Sequence, residues 1–106
     1  MIQWPCVFKL DGDYELMFIG SESMLASELE SLIWSDADQL IDSVGQGYII
    51  RESRGHYAFE ASGELLSLTA ITQLIQEHEF SKAEMCLTKI QFTSVQEAIQ
   101  SLAAEQ

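Results

Sequence analysis

Ile2-Gln3-Trp4-Pro5-Cys6-Val7-Phe8-Lys9-Leu10-Asp11-Gly12-Asp13-Tyr14-Glu15-Leu16-Met17-Phe18-Ile19-Gly20 is the stretch that decides the fold. Ile2, Trp4, Cys6, Phe8 and Leu10 alternate with Gln3, Pro5, Val7 and Lys9, a period of two that marks a β-strand. Tyr14, Leu16 and Phe18 continue the alternation and supply a partner strand. Asp11-Gly12 alone suggests a two-residue hairpin turn. That turn sets Leu10 against Asp13 and Phe8 against Glu15, apolar residues against carboxylates. A three-residue loop, Asp11-Gly12-Asp13, instead pairs Leu10 with Tyr14, Phe8 with Leu16 and Cys6 with Phe18, with Lys9 opposite Glu15. A slip of one residue would move every side chain to the other face, so parity outranks the dipeptide and selects the three-residue loop. Pro5 lacks an amide donor and favours an edge position for the first strand, or at least an unpaired side there.

Outward from this hairpin, Ser21 or Ser23 caps a helix reaching to about Trp34, with Leu25, Leu29, Leu32 and Ile33 on one face. Leu40-Ile41 reads as a short strand, and Asp42-Ser43-Val44-Gly45-Gln46-Gly47 as a turn. A second hairpin about Arg54-Gly55 sets Ile50 against Phe59, Tyr48 against Ala61 and Glu52 against Tyr57. Arg51 then reaches Glu60 diagonally on the outer face. Ser62-Gly63 ends that unit, and Leu65 to Leu68 either extends it briefly or leads into the next helix. A helix over about Thr69 to Phe80 buries Ile71, Leu74, Ile75 and His78. Glu84 to Phe92 is apolar on both parities, as in a strand inside a sheet. Thr93 with Gln96 and Ser94 with Glu97 are overlapping capping boxes for a last helix carrying Val95, Ala98, Ile99, Leu102 and Ala103. The expected fold is α+β: a mainly antiparallel sheet of five to six strands, containing two hairpins, with three helices in the order ββα-ββ(β)-α-β-α. At 106 residues, one domain spanning 1–106 accommodates it.

Charge is distributed very unevenly. Between Leu10 and Ile50 stand nine carboxylates and no Lys or Arg, in a chain whose net charge is −12. Phosphate polymers and anionic membranes would be repelled, so neither nucleic acid nor membrane is an expected partner. Hydrophobic residues make up 47% of the chain, too many for an acidic disordered segment. No apolar run approaches a membrane span, and the first residues lack the basic-then-apolar pattern of a secretory signal. With two cysteines eighty residues apart, these features imply a reduced cytoplasmic setting.

No arrangement of residues reads as a catalytic signature. Asp36, Asp38 and Asp42 invite a metal reading, but Ile41 stands where a calcium loop needs Gly and Gly47 where it needs Glu. Asp11-Gly12-Asp13-Tyr14-Glu15 likewise lacks the required glycine. Solvated turn carboxylates are the simpler account, and no metal or cofactor is expected. His56 and His78 have no Cys or His at ligand spacing. His78 reads as a helix-boundary residue whose charged form would suit the C-terminal dipole. Cys6 and Cys86 read as buried, reduced thiols of low reactivity. Arg51, Arg54 and His56 form a locally basic spot at the second hairpin's tip, either offsetting Glu52 and Glu60 or contacting an anion.

Trp4-Pro5-Cys6, Leu40-Ile41-Asp42-Ser43-x-Gly45 and Cys86-x-x-Lys89-Ile90 together resemble a small bacterial family of acidic single-domain proteins classed only as a domain of unknown function. The resemblance spans nearly the whole chain and implies a bacterial cytosolic origin, with no catalytic residues to carry over. Three functional expectations follow. The first is a non-enzymatic acidic accessory module facing a basic protein surface. The second is a DNA mimic presenting Glu22, Glu28, Glu30, Asp36 and Asp38 as phosphate surrogates. The third is a small ligand-binding protein or enzyme using Asp42, Ser43, His78 and Cys86 in a pocket between helices and sheet. The site reading requires those four side chains to converge.

Overall fold

The computed structural model describes residues 2–12, 15–35, 37–81 and 92–105. Five strands, β1 (Cys6–Lys9), β2 (Leu16–Ile19), β3 (Gln39–Ile41), β4 (Gln46–Ser53) and β5 (His56–Leu65), form one antiparallel sheet in the order β2-β1-β3-β4-β5. Three helices, α1 (Glu22–Leu29), α2 (Leu68–Ser81) and α3 (Val95–Ser101), complete an α+β fold. None of the described helices is long and apolar enough to cross a membrane. The strand expected over 84–92 lies outside the described residues except for Phe92, which is partly buried.

The sheet is covered on both sides, and this corrects the register expected for the first hairpin. Cys6 pairs with Ile19, Val7 with Phe18, Phe8 with Met17 and Lys9 with Leu16, one residue removed from the parity solution. Cys6, Phe8, Ile19, Leu40 and Ile50 pack beneath Leu25 and Leu29 of α1. Val7, Leu16 and Ile41 pack on the opposite face against Ile71 and Ile75 of α2 and Ala98, Ile99 and Leu102. Parity selects a register only where a single face is buried. With two, Val7 and Phe18 are core residues of the second layer, and opposing them exposes nothing apolar.

β1 is not an edge strand, since it lies between β2 and β3, but Pro5 stands outside the ladder, which begins at Cys6, so the unpaired position expected there is what forms. The second hairpin matches its expected register throughout the Tyr48–Ser53 segment. Arg54 (φ 53°) and Gly55 (φ 80°) both occupy the left-handed region, as a two-residue turn matched to strand twist requires. Arg51 bonds Glu60 on the outer face. β5 runs on to Leu65, with a register shift opposite Gln46 to Tyr48.

Ser21 caps α1 by accepting from the Met24 amide at 3.2 Å, but the helix stops at Leu29, well short of Trp34. The Ser31 and Leu32 amides both turn back onto the Glu28 carbonyl, and the Trp34 indole donates to the Leu29 carbonyl at 3.3 Å. These bonds satisfy carbonyls that a longer helix would have used. Ile33, expected on the buried stripe, is therefore 97% exposed. Ser94 caps α3 through the Glu97 amide at 3.0 Å. Glu97 reaches back to the Thr93 amide and hydroxyl, and those two bonds hold its carboxyl below the usual range.

Candidate functional site

Two aspartates bracket the three-residue strand β3, and both spend their carboxylates on backbone amides. Before it, Asp38 accepts from the Asp11 amide at 2.6 Å and the Ser35 amide at 2.7 Å. After it, the fully buried Asp42 accepts from Gln3 (3.0 Å), Val44 (3.0 Å) and Gln46 (3.0 Å). Gln3 lies just ahead of β1 and Asp11 just beyond it. The two carboxylates thus pin both flanks of β1 to the two ends of its neighbour.

Ser43 completes the clasp. Its amide donates to the Gln3 carbonyl at 2.9 Å and its hydroxyl to the Pro5 carbonyl at 2.6 Å. Gly45 (φ 89°) donates to the Asp42 carbonyl at 2.9 Å and accepts from the Leu66 amide at 2.8 Å. A Cβ at Gly45 would lie 2.2 Å from the Leu66 oxygen, so both backbone angle and space demand glycine. Asp42-Ser43-x-Gly45 is a structural turn that holds the N-terminal segment against the sheet.

His78 is only 3% exposed, and its Nδ1 accepts from the Leu16 amide at 2.9 Å. An accepting Nδ1 carries no proton, so the expectation of a charged ring serving the helix dipole is replaced by an unprotonated nitrogen satisfying the start of β2. Leu16 opposes Lys9 at the far end of β1, whereas Asp42 and Ser43 clasp the near end. The described members of the expected polar cluster, Asp42, Ser43 and His78, therefore do not converge. Cys86 lies outside the described residues. Cys6 is fully buried, and burial, followed by the nearby Asp42 charge, pushes its thiol well above the ordinary range.

The carboxylates expected to form an acidic array do not all share one face. Glu28 and Glu30 stand two residues apart, about 160° apart on the helical turn, and so occupy opposite flanks of α1. Glu22 is exposed in its first turn, and Asp38 is buried in backbone bonding. Asp36 lies outside the described residues. Among the described residues, no three His, Cys, Asp or Glu side chains are placed to hold a metal ion.

What the structure does assemble is a groove of about 370 Å³ between α1 and the second hairpin. Leu25, Ala26 and Leu29 form one wall, Tyr57 and Phe59 the other, with Glu22, Glu30 and His56 among its lining residues. Trp34 packs against Tyr57 with ring centroids 6.1 Å apart, in a tilted arrangement. The signal for this groove was present in sequence as the apolar parity of Tyr57 and Phe59. Which side of the sheet α1 would cover was not. A smaller recess of about 250 Å³ on the other side is lined by Lys9, Asp11, Gln39 and Glu64 around Ile41, Leu66 and Leu74.

The fold is shared with a protein from Shewanella amazonensis whose structure was determined by NMR, at a TM-score of 0.73 and 22% identity, over 100% of this chain and 91% of that one. No curated protein matches the sequence. A family model described as a protein structure with unknown function matches residues 4–102, the span that holds Asp42, Ser43 and Gly45, both hairpins and all three helices. The chain belongs to that family, DUF4144.

Proposed function

We propose that this protein is a non-catalytic interaction module that binds a basic protein surface through the face made by α1 and the second hairpin. The observation carrying the reading is the groove itself, an apolar floor between Leu25, Leu29, Tyr57 and Phe59 with Glu22 and Glu30 at its margins. The fate of the polar candidates supports it. Asp38, Asp42, Ser43 and His78 hold the backbone together, and no nucleophile stands beside a base among them. The nine acids between Leu10 and Ile50 add a long-range field that speeds encounter with a cationic surface and rejects anionic competitors.

The test is capture from bacterial lysate on immobilised full-length protein at low and moderate salt, followed by remeasurement with the purified partner. A basic partner whose association rate falls with salt and falls again in the Glu22→Gln/Glu30→Gln variant supports the reading. Capture of nothing salt-sensitive, or equal binding by that variant, ends it.

A further inference from the structure

Among the described residues β5 is an edge strand, and its outer side is suited to accept another strand. Because a two-residue turn joins it to β4, Ser53 and His56 form the pair that exchanges both backbone bonds, and alternation proceeds from there. His56, Ala58 and Glu60 direct their amides and carbonyls to β4. Tyr57, Phe59 and Ala61 direct theirs outward, and among the described residues no strand pairs with them.

Natural edges are commonly guarded by Pro, Lys or a bulge. β5 contains neither Pro nor Lys, and its register shift is confined to the end near Gln46, leaving Tyr57 to Ala61 regular. Tyr57 and Phe59 of this set turn their side chains toward α1 and line the groove. A strand added here would therefore place alternate side chains directly beside Tyr57 and Phe59.

We infer that the outer edge of β5 from Tyr57 to Ala61 is a docking site for an extended basic segment of a partner protein. The segment joins the sheet as a further strand and lays apolar side chains into the groove under α1. Charge selects this occupant. A second copy of the chain would bring its own −12 to an edge flanked by Glu22 and Glu30, whereas Lys or Arg at alternate positions meets both carboxylates. Main-chain bonds supply affinity, and the groove with its acidic margins supplies selectivity. The inference rests on the interaction-module reading and names the form its partner takes.

The experiment is panning of a display library of random short peptides against the full-length protein, with the enriched peptides followed by NMR on the labelled chain. Enriched peptides should alternate apolar residues with Lys or Arg and slow hydrogen exchange at the Tyr57, Phe59 and Ala61 amides. Ala61→Pro removes an outward donor without removing a bond to β4 and should weaken binding about tenfold or more. Methylating alternate amides of the peptide reads the same contact from the other side and does not depend on the variant's folding. Peptides without basic bias, protection elsewhere on the chain, or undiminished binding of methylated peptides would overturn the inference. So would self-association through β5. A lysate partner that binds Ala61→Pro as well as the parent would end strand addition while sparing the module reading. Absence of any salt-sensitive basic partner would end the latter.

Discussion

Replacing Asp42 separates a clasp from a catalytic or ligand-binding role. Asp42→Ala strands the amides of Gln3, Val44 and Gln46, each 3.0 Å from a carboxylate oxygen in the parent. A buried donor left without a partner costs about 1–3 kcal/mol. Gln3 and Val44 are exposed residues and Gln46 is half-buried, so their amides recover some water, and the low end of that range applies to each. The expected loss is about 3–4 kcal/mol, against a total stability of about 5–15 kcal/mol for a domain of this size. Asp42→Asn is the sharper probe. Its amide oxygen can occupy the Oδ1 position and keep Val44 and Gln46, while its NH₂ then faces the Gln3 donor and loses that bond alone. The expected cost is about 1–2 kcal/mol. Urea unfolding followed through Trp4 and Trp34 fluorescence measures both, with the m-value checked for constancy. Hydrogen exchange in Asp42→Asn should quicken at Gln3 and stay slow at Val44 and Gln46. A stability loss in Asp42→Ala below about 1 kcal/mol, or equal damage from the two variants, would refute the clasp.

Gly45→Ala should be far more damaging than Gly55→Ala, although both glycines have positive φ. The turn glycine has nothing within 4 Å of a Cβ and costs about 1 kcal/mol, whereas Gly45 meets the Leu66 oxygen at 2.2 Å and must also break a clasp bond. Thermal melts should separate the two by well over one step of about 4–8 °C per kcal/mol. His78→Phe keeps the packing and removes the acceptor for Leu16, at a cost of about 1–3 kcal/mol, with accelerated exchange of the Leu16 amide as its signature. Burial and then the Asp42 charge raise the Cys6 thiol, so above about pH 8.5 the unfolded chain releases a proton that the folded chain keeps. Stability should be complete below that pH and fall by up to about 1.4 kcal/mol per unit above it; Cys6→Ala should remove this slope. Tyr48, raised by burial and by Asp42 and Cys6, extends the decline beyond about pH 10.

The contrast between the two hairpins shows what a single sequence makes legible. On the second hairpin one face carries Arg51 and Glu60 and the other Tyr48, Ile50, Tyr57 and Phe59, so only one register buries the right set, and that register forms. On the first, Val7 interrupts the Cys6–Phe8 set and Met17 and Ile19 interrupt Leu16 and Phe18, making both parities apolar. Such a pattern describes a strand covered on both sides, and it carries no preference between adjacent registers. The choice is made by α1 on one layer and by α2 with α3 on the other, contacts distant in sequence. The same physics explains the polar residues. Asp38 and Asp42 look like surface carboxylates in a long acidic run, and nothing local separates them from Glu28 or Glu30. What separates them is placement at the two ends of a strand too short to anchor itself, next to amides that β1 leaves unpaired at its flanks. An acid that bounds a three-residue strand is recruited inward because an unpaired buried amide costs more than burying a carboxylate that accepts several. Of the acids that remain outside, Glu22 and Glu30 flank the groove. Folding has taken Asp38 and Asp42 into the structure, while Glu22 and Glu30 stand beside a strand edge that no described strand pairs with, where an incoming cationic strand would encounter them.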